Sequence, residues 1–153
     1  FSLLDVDKCS QYFAKTYIMY ILQIMPETKK ILLVEDDTFM LGILSERLKK
    51  SGFEVSMATD GEECMKVLEA QKSNLDIVLL DILLPKIDGF EVLRRMKVSP
   101  ELSSIPVVIL SNLGQKEEVQ KAKDLGAEDY IIKANFTTKE IVDKLLNVLN
   151  KKN

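Results

Sequence analysis

The sequence predicts an α/β fold: a doubly wound, five-stranded parallel sheet with helices on both faces. Three observations predict it. Short apolar runs of strand length alternate with helical stretches five times between Lys29 and Lys151, the signature of repeated βαβ units. The runs at 31–34, 76–80 and 106–110 are, once past Asp76 and Pro106, unbroken aliphatic sequence, as expected for strands covered on both faces. Acidic, hydroxyl and ammonium side chains follow the strand runs directly, at the ends where such a sheet binds ligands.

Each element has its own reason. "ILLV" (31–34) is a short buried strand. "FMLGILSERLKK" (39–50) places Met40, Ile43, Leu44 and Leu48 at helical spacing, and Ser51-Gly52 stops it after two lysines. "FEVSMA" (53–58) alternates, with one wetter side, and reads as an edge strand. "GEECMKVLEAQK" (61–72) is a helix with Cys64, Val67 and Leu68 facing in. "DIVLL" (76–80) is a strand, and "GFEVLRRMK" (89–97) is a helix behind the turn Asp88-Gly89, with Asp88 as its N-cap. "PVVIL" (106–110) is a strand and "KEEVQKAKDLGA" (116–127) a helix ending at Gly126. "DYIIK" (129–133) is a short strand at the other edge. "TTKEIVDKLLNVLNK" (137–151) is a helix opened by a capping box of Thr137 and Glu140. Right-handed crossovers then favour strand order 2-1-3-4-5, the flavodoxin-like arrangement.

The 153 residues suit one domain, 29–151, preceded by an extension, 1–28. Net charge is −3, so charge makes no case for direct nucleic-acid binding. There is no histidine, which excludes histidine triads, histidine metal sites and a phosphohistidine carrier. Cys9 and Cys64 lack metal-ligand spacing and fit a reducing compartment. In the extension, "YFAKTYIMYILQIM" (12–25) is apolar and aromatic, but its longest uncharged stretch, 16–26, falls short of the roughly 20 residues that span a bilayer. The leading "FSLLDVDK" does not resemble a signal peptide. "MPETKKILLVEDD" from Met25 looks like a protein start, so the favoured reading of 1–24 is an extension without a role of its own; a packing or dimerisation helix and a membrane-surface helix are the alternatives.

The strand ends carry the chemistry. Strand 1 ends in Glu35-Asp36-Asp37, strand 3 in Asp81, strand 4 in Ser111-Asn112 and strand 5 in Lys133. The fold brings all four ends to one crevice. Clustered carboxylates repel unless a cation sits among them, and one or two carboxylates with water and phosphate oxygens are the usual ligands of Mg²⁺. A hydroxyl and an ammonium opposite them suit a phosphoryl group. Asp81 at the tip of a buried strand reads as a carboxylate nucleophile that forms an aspartyl phosphate. Asp37 reads as the cap of the first domain helix.

"ILLVEDD", "LLDILLPKIDGFEVL", "IPVVILSN" and "AEDYIIKANF" together resemble the receiver domain of bacterial two-component response regulators, over about residues 29–151. The resemblance implies that Asp81 is the phosphoacceptor, that Glu35 and Asp36 form the acidic pair with Asp36 a direct Mg²⁺ ligand, and that the backbone carbonyl of Leu83 completes the protein ligands. It implies that Ser111 is the switch hydroxyl, that Lys133 pairs with the phosphoryl group, and that Tyr130 is the aromatic switch, turning inward on activation. It further implies a cytoplasmic signalling domain rather than an enzyme. Its phosphodonor would be a histidine kinase or histidine phosphotransfer protein, and its output a downstream protein or a self-dimer bound through about residues 115–150.

Two positions depart from the family's pattern. Ala134 replaces the usual proline after the lysine, and a non-proline cis bond there would cost about 3 kcal/mol. Asn112 replaces a small residue after the switch hydroxyl. The alternatives are a Mg²⁺-dependent aspartyl-phosphate hydrolase, which would want an acid where Leu83 stands, and a degenerate receiver that only binds partners, which the intact acidic, hydroxyl and lysine set opposes.

Overall fold

The computed structural model describes residues 3–24 and 27–151. A long helix, α1 (Leu3–Ile24), precedes five βα units: β1 (Lys30–Val34), α2 (Thr38–Lys50), β2 (Glu54–Ala58), α3 (Gly61–Gln71), β3 (Ile77–Leu80), α4 (Gly89–Val98), β4 (Val107–Ser111), α5 (Lys116–Asp124), β5 (Asp129–Ile132) and α6 (Thr138–Asn150). The sheet is parallel throughout, in the order β2-β1-β3-β4-β5. β1, β3 and β4 are central, and every residue of β3 and β4 is buried, which is why their sequences are unbroken aliphatic runs rather than alternating ones.

Strand alternation sends side chains into two cores. Leu32, Val34, Val78, Leu80, Val107 and Ile109 face one, closed by Cys64 and Leu68 of α3 and by Val92, Leu93 and Met96 of α4. Ile31, Leu33, Ile77, Leu79, Val108 and Leu110 face the other, closed by α2 and α6. On α2 the buried stripe is Leu41, Leu44, Ser45 and Leu48, while Ile43 is exposed, so the inward face lies slightly off the stripe expected from spacing. α2 packs against both β2 and α6, and Leu41 belongs to the core that α6 closes.

Caps follow local hydrogen bonding. Asp37 accepts from the N–H groups of Phe39 and Met40, Asp88 from Glu91, and Thr137 with Glu140 forms the expected capping box. α5 ends at Asp124, before Gly126, which takes φ +96°. β5 stops at Ile132, one residue short of the sequence expectation. Lys133–Asn135 form a 3-10 turn instead, so the lysine leaves the sheet and reaches back across its end. No described peptide bond is cis, so the Lys133–Ala134 link is trans. The extension is helical, and its described side chains from Ser10 to Tyr20 are all exposed.

Candidate functional site

The hydrogen-bond ladder delivers the acids side by side. It runs one residue past the strands: the Glu35 N–H donates to the carbonyl of Ala58, and the Asp81 N–H to that of Val34. Glu35 and Asp81 are thereby fixed at adjacent strand ends and are 2% and 5% exposed. Asp36, next along the loop, is exposed. Carboxylate oxygens of Glu35, Asp36 and Asp81 lie within 4.8 Å of one another. Three hard oxygen donors, two of them anchored by backbone, fit a small divalent cation such as Mg²⁺.

Lys133 closes the cluster from across the sheet. Its Nζ donates to Glu35 Oε2 at 2.6 Å and to Asp81 Oδ2 at 2.5 Å. The other oxygens are also engaged: Asp81 Oδ1 accepts from the N–H groups of Ile82 (2.6 Å) and Leu83 (3.3 Å), and Glu35 Oε1 from Asp37 (3.2 Å). Burial pushes the Glu35 carboxyl above its ordinary value; the Lys133 ammonium works against that, and the Asp81 charge adds to it. Burial pulls on Lys133 in the opposite sense, but its bonds to Asp81 and Glu35 win and hold the ammonium above the usual lysine range.

The crevice around these groups is lined by Glu35, Asp36, Asp37, Met40, Asp81, Leu83, Asn112, Lys133 and Ala134. Five residues expected from the sequence therefore meet there: Glu35, Asp36, Asp81, Leu83 and Lys133. Ser111 and Tyr130 do not line it. Ser111 is fully buried at the end of β4, where its hydroxyl accepts from the Leu113 N–H at 3.4 Å. Tyr130 is turned inward, 9% exposed, with its hydroxyl donating to the Leu113 carbonyl at 2.8 Å. Burial, first, and the nearby charges of Glu118 and Asp81 raise its phenol. The loop after β4 is thus tied to β5 through Leu113. Met40, read from the sequence as one of a helical stripe, sits on the rim, and only its place one turn after Asp36 hinted at that.

The loop after β3 is held from two sides. At Gly89 a Cβ would stand 2.1 Å from the Asp81 carbonyl oxygen, so only glycine lets α4 start against the strand end. Lys86 takes φ +67°, and its Nζ pairs with Asp60, the cap of α3, at 2.7 Å. No local pattern announces that pair, because its members are 26 residues apart.

Comparison with known proteins agrees with this geometry. A family model of the response regulator receiver domain matches residues 31–146. The "Probable transcriptional regulator ycf27" of Cyanophora paradoxa is 36% identical over 123 residues, which are 80% of this chain and 49% of that protein. The chain spans about half the length, or less, of the first curated relatives it matches. Among solved structures, the "CheX-CheY-BeF3-Mg+2 complex" of Borrelia burgdorferi aligns with a TM-score of 0.73 at 28% identity, covering 78% of this chain and 88% of the matched one. A "putative response regulator" of Chloroflexus aurantiacus aligns with a TM-score of 0.74 at 30% identity, covering 81% and 99%.

Proposed function

The chain belongs to the response regulator receiver domain family, and from that premise we propose that Asp81 accepts a phosphoryl group beside a bound Mg²⁺ and that the modified domain signals through a protein partner. The observation that carries this reading is the placement of Asp81: buried at a strand end, paired with Lys133 at 2.5 Å, and sharing one crevice with Glu35 and Asp36. A relative of the same fold was solved with BeF3 and Mg²⁺, which supports Mg²⁺ as the cation here.

In the proposed step, a carboxylate oxygen of Asp81 forms a bond to phosphorus while the bond from phosphorus to the donor breaks and the donor keeps that electron pair. The donor is a phosphohistidine of a histidine kinase or phosphotransfer protein, or a small acyl phosphate. Mg²⁺, when bound, supplies positive charge that neutralises the acids and the phosphoryl oxygens. Glu35, Asp36, Asp81 and the Leu83 carbonyl would hold it. The N–H groups of Ile82 and Leu83 fix Asp81 Oδ1 and so orient the nucleophile. Lys133, already paired with Asp81, can turn its ammonium to the phosphoryl oxygens without leaving the crevice. Ser111 would donate its hydroxyl to the same group. To reach it, Ser111 Oγ would have to turn toward the crevice and away from the Leu113 N–H it now accepts from, and through Leu113 that movement would reach Tyr130. The switching surface would therefore border about 115–150, the region proposed to meet a downstream protein or a second copy. The signalling unit is 29–151, which contains all five strands.

Mass spectrometry after incubation with a small acyl phosphate and Mg²⁺ tests the reading. One added phosphoryl group per chain is expected, dependent on Mg²⁺ and absent in Asp81→Asn. No added mass under several donors refutes phosphorylation, and labelling retained in Asp81→Asn refutes the site.

A further inference from the structure

Helix α1 lies outside the part of the chain matched by the family, and its surface is unlike that of any domain helix. Phe13 is 75% exposed, Tyr17 66% and Tyr20 60%. An isolated helix draws little stability from its own hydrogen bonds, and none of its side chains from Ser10 to Tyr20 is buried. Such an apolar surface on a water-soluble domain calls for a cover.

The spacing says what kind of cover. Ser10, Phe13, Tyr17 and Tyr20 follow one another at steps of three, four and three, and the sequence continues the alternation through Leu3, Val6 and Ile24. That is a heptad seam over about three heptads, with one polar interruption. The helix's two lysines, Lys8 and Lys15, both fall at the heptad position farthest from the seam. The residues flanking the seam that would meet across a parallel pair, Cys9 with Ala14 and Thr16 with Ile21, are uncharged, so no like charges oppose. A parallel pairing also stacks the polar Ser10 on its own copy, which sets the register. Lipid fits less well: Asp5 and Asp7 cancel Lys8 and Lys15, leaving nothing to attract an anionic surface.

We propose that α1 is a homodimerisation helix whose Ser10–Phe13–Tyr17–Tyr20 seam packs in parallel against the same seam of a second copy. The area is of the right order. Three aromatic side chains about two thirds exposed present roughly 400 Å², about half of the roughly 800 Å² that each partner gives to a stable interface. The flanking Ala14 and Ile21, neither of them buried, add to it. The helix is about 33 Å long at 1.5 Å per residue, and it enters the domain only a few residues before β1, so pairing would set two receiver domains side by side. This pairing is independent of phosphorylation, so its failure would leave the reading of Asp81 untouched.

The test is size-exclusion chromatography with light scattering on the full chain, with and without single substitutions that circular dichroism shows to leave the fold intact. Wild type should weigh twice 17.4 kDa. Phe13→Glu and Tyr17→Glu should each give monomers. Ile18→Glu, which places the same charge on another exposed apolar position (57%) off the seam, should leave the dimer. In a Cys9→Ser background, Tyr17→Cys should cross-link to its own copy under mild oxidation, since a parallel seam sets the two residues face to face. A monomeric wild type overturns the proposal, as does a dimer that survives both glutamates or is lost equally with Ile18→Glu. Absence of the Tyr17→Cys cross-link overturns the parallel arrangement. A monomeric chain that sediments with anionic lipid vesicles assigns the surface to lipid instead.

Discussion

Asp81→Asn in the protein without Mg²⁺ sets opposed electrostatic effects against each other. Losing the charge relieves repulsion from Glu35 and Asp36, whose oxygens lie within 4.8 Å of it; at an effective dielectric constant of about 20 that is about 3.5 kcal/mol for each neighbour. It also forfeits the attraction of Lys133 at 2.5 Å, about 6.6 kcal/mol on the same scale. The two nearly cancel, so desolvation decides. Asp81 is 5% exposed, and an ion so placed has given up hydration worth several kcal/mol, whereas a neutral amide gives up less. Asparagine can keep an oxygen for the Ile82 and Leu83 N–H groups, and the ammonium keeps Glu35. The variant should therefore be more stable than wild type by about 1–2 kcal/mol without Mg²⁺. Mg²⁺ should reverse the ranking, because it stabilises wild type by about 2.7 kcal/mol at a hundred times its dissociation constant and finds one anionic ligand fewer in the variant. Urea melts with and without Mg²⁺ measure both numbers. An Asp81→Asn protein that is less stable than wild type without Mg²⁺ and gains as much from the metal would refute the account of the crevice as a strained acidic pocket.

Lys133→Met leaves Glu35 and Asp81 buried without their ammonium, and should cost about 3 kcal/mol at pH 8 in metal-free urea melts. The loss should shrink toward pH 5: the Glu35 carboxyl already titrates above its ordinary value, so the native variant takes up a proton before the unfolded chain does. An unchanged midpoint at pH 8 would be the contrary result. Gly89→Ala forces a Cβ against the Asp81 backbone and should destabilise by about 2 kcal/mol; a melt within experimental error of wild type would show that α4 can shift freely. Burial pushes the Cys64 thiol up to about 12, so in a Cys9→Ser background it should resist a thiol reagent at pH 8 until urea unfolds the domain. Because the native thiol holds its proton longer than the unfolded one, stability contributed by Cys64 should fall as pH rises above about 9; rapid labelling of the folded protein would refute its burial. A chain starting at Met25 should melt and phosphorylate like the full chain, since β1 begins at Lys30; a large fall in its melting temperature would show that α1 supports the domain.

Much of the molecule was legible in the sequence wherever a short range of residues decides the outcome. Asp37, Asp88 and Thr137 cap helices through bonds to N–H groups two or three residues on, so their roles follow from local order. The aliphatic runs of β1, β3 and β4 announce strands covered on both faces, and the alternating run near 53–58 announces the β2 edge, because burial of a side chain depends on strand period. The acids and Lys133 could be assigned to one crevice because parallel strands of a doubly wound sheet bring their carboxyl ends together. The tertiary structure decided what depends on distant partners. Which face of α2 is buried is set by α6 as well as by the sheet. Tyr130 points inward because the Leu113 carbonyl, 17 residues away in sequence, accepts its hydroxyl. Lys133 leaves β5 in a 3-10 turn and bridges Asp81 and Glu35 from 52 and 98 residues away, a contact no local propensity encodes. Periodicity and capping are properties of one helical turn or one strand pair; the charge balance at the end of the sheet exists only once the ends of three strands, β1, β3 and β5, have been packed within a few ångströms, where burial makes each carboxylate's state depend on the ammonium beside it.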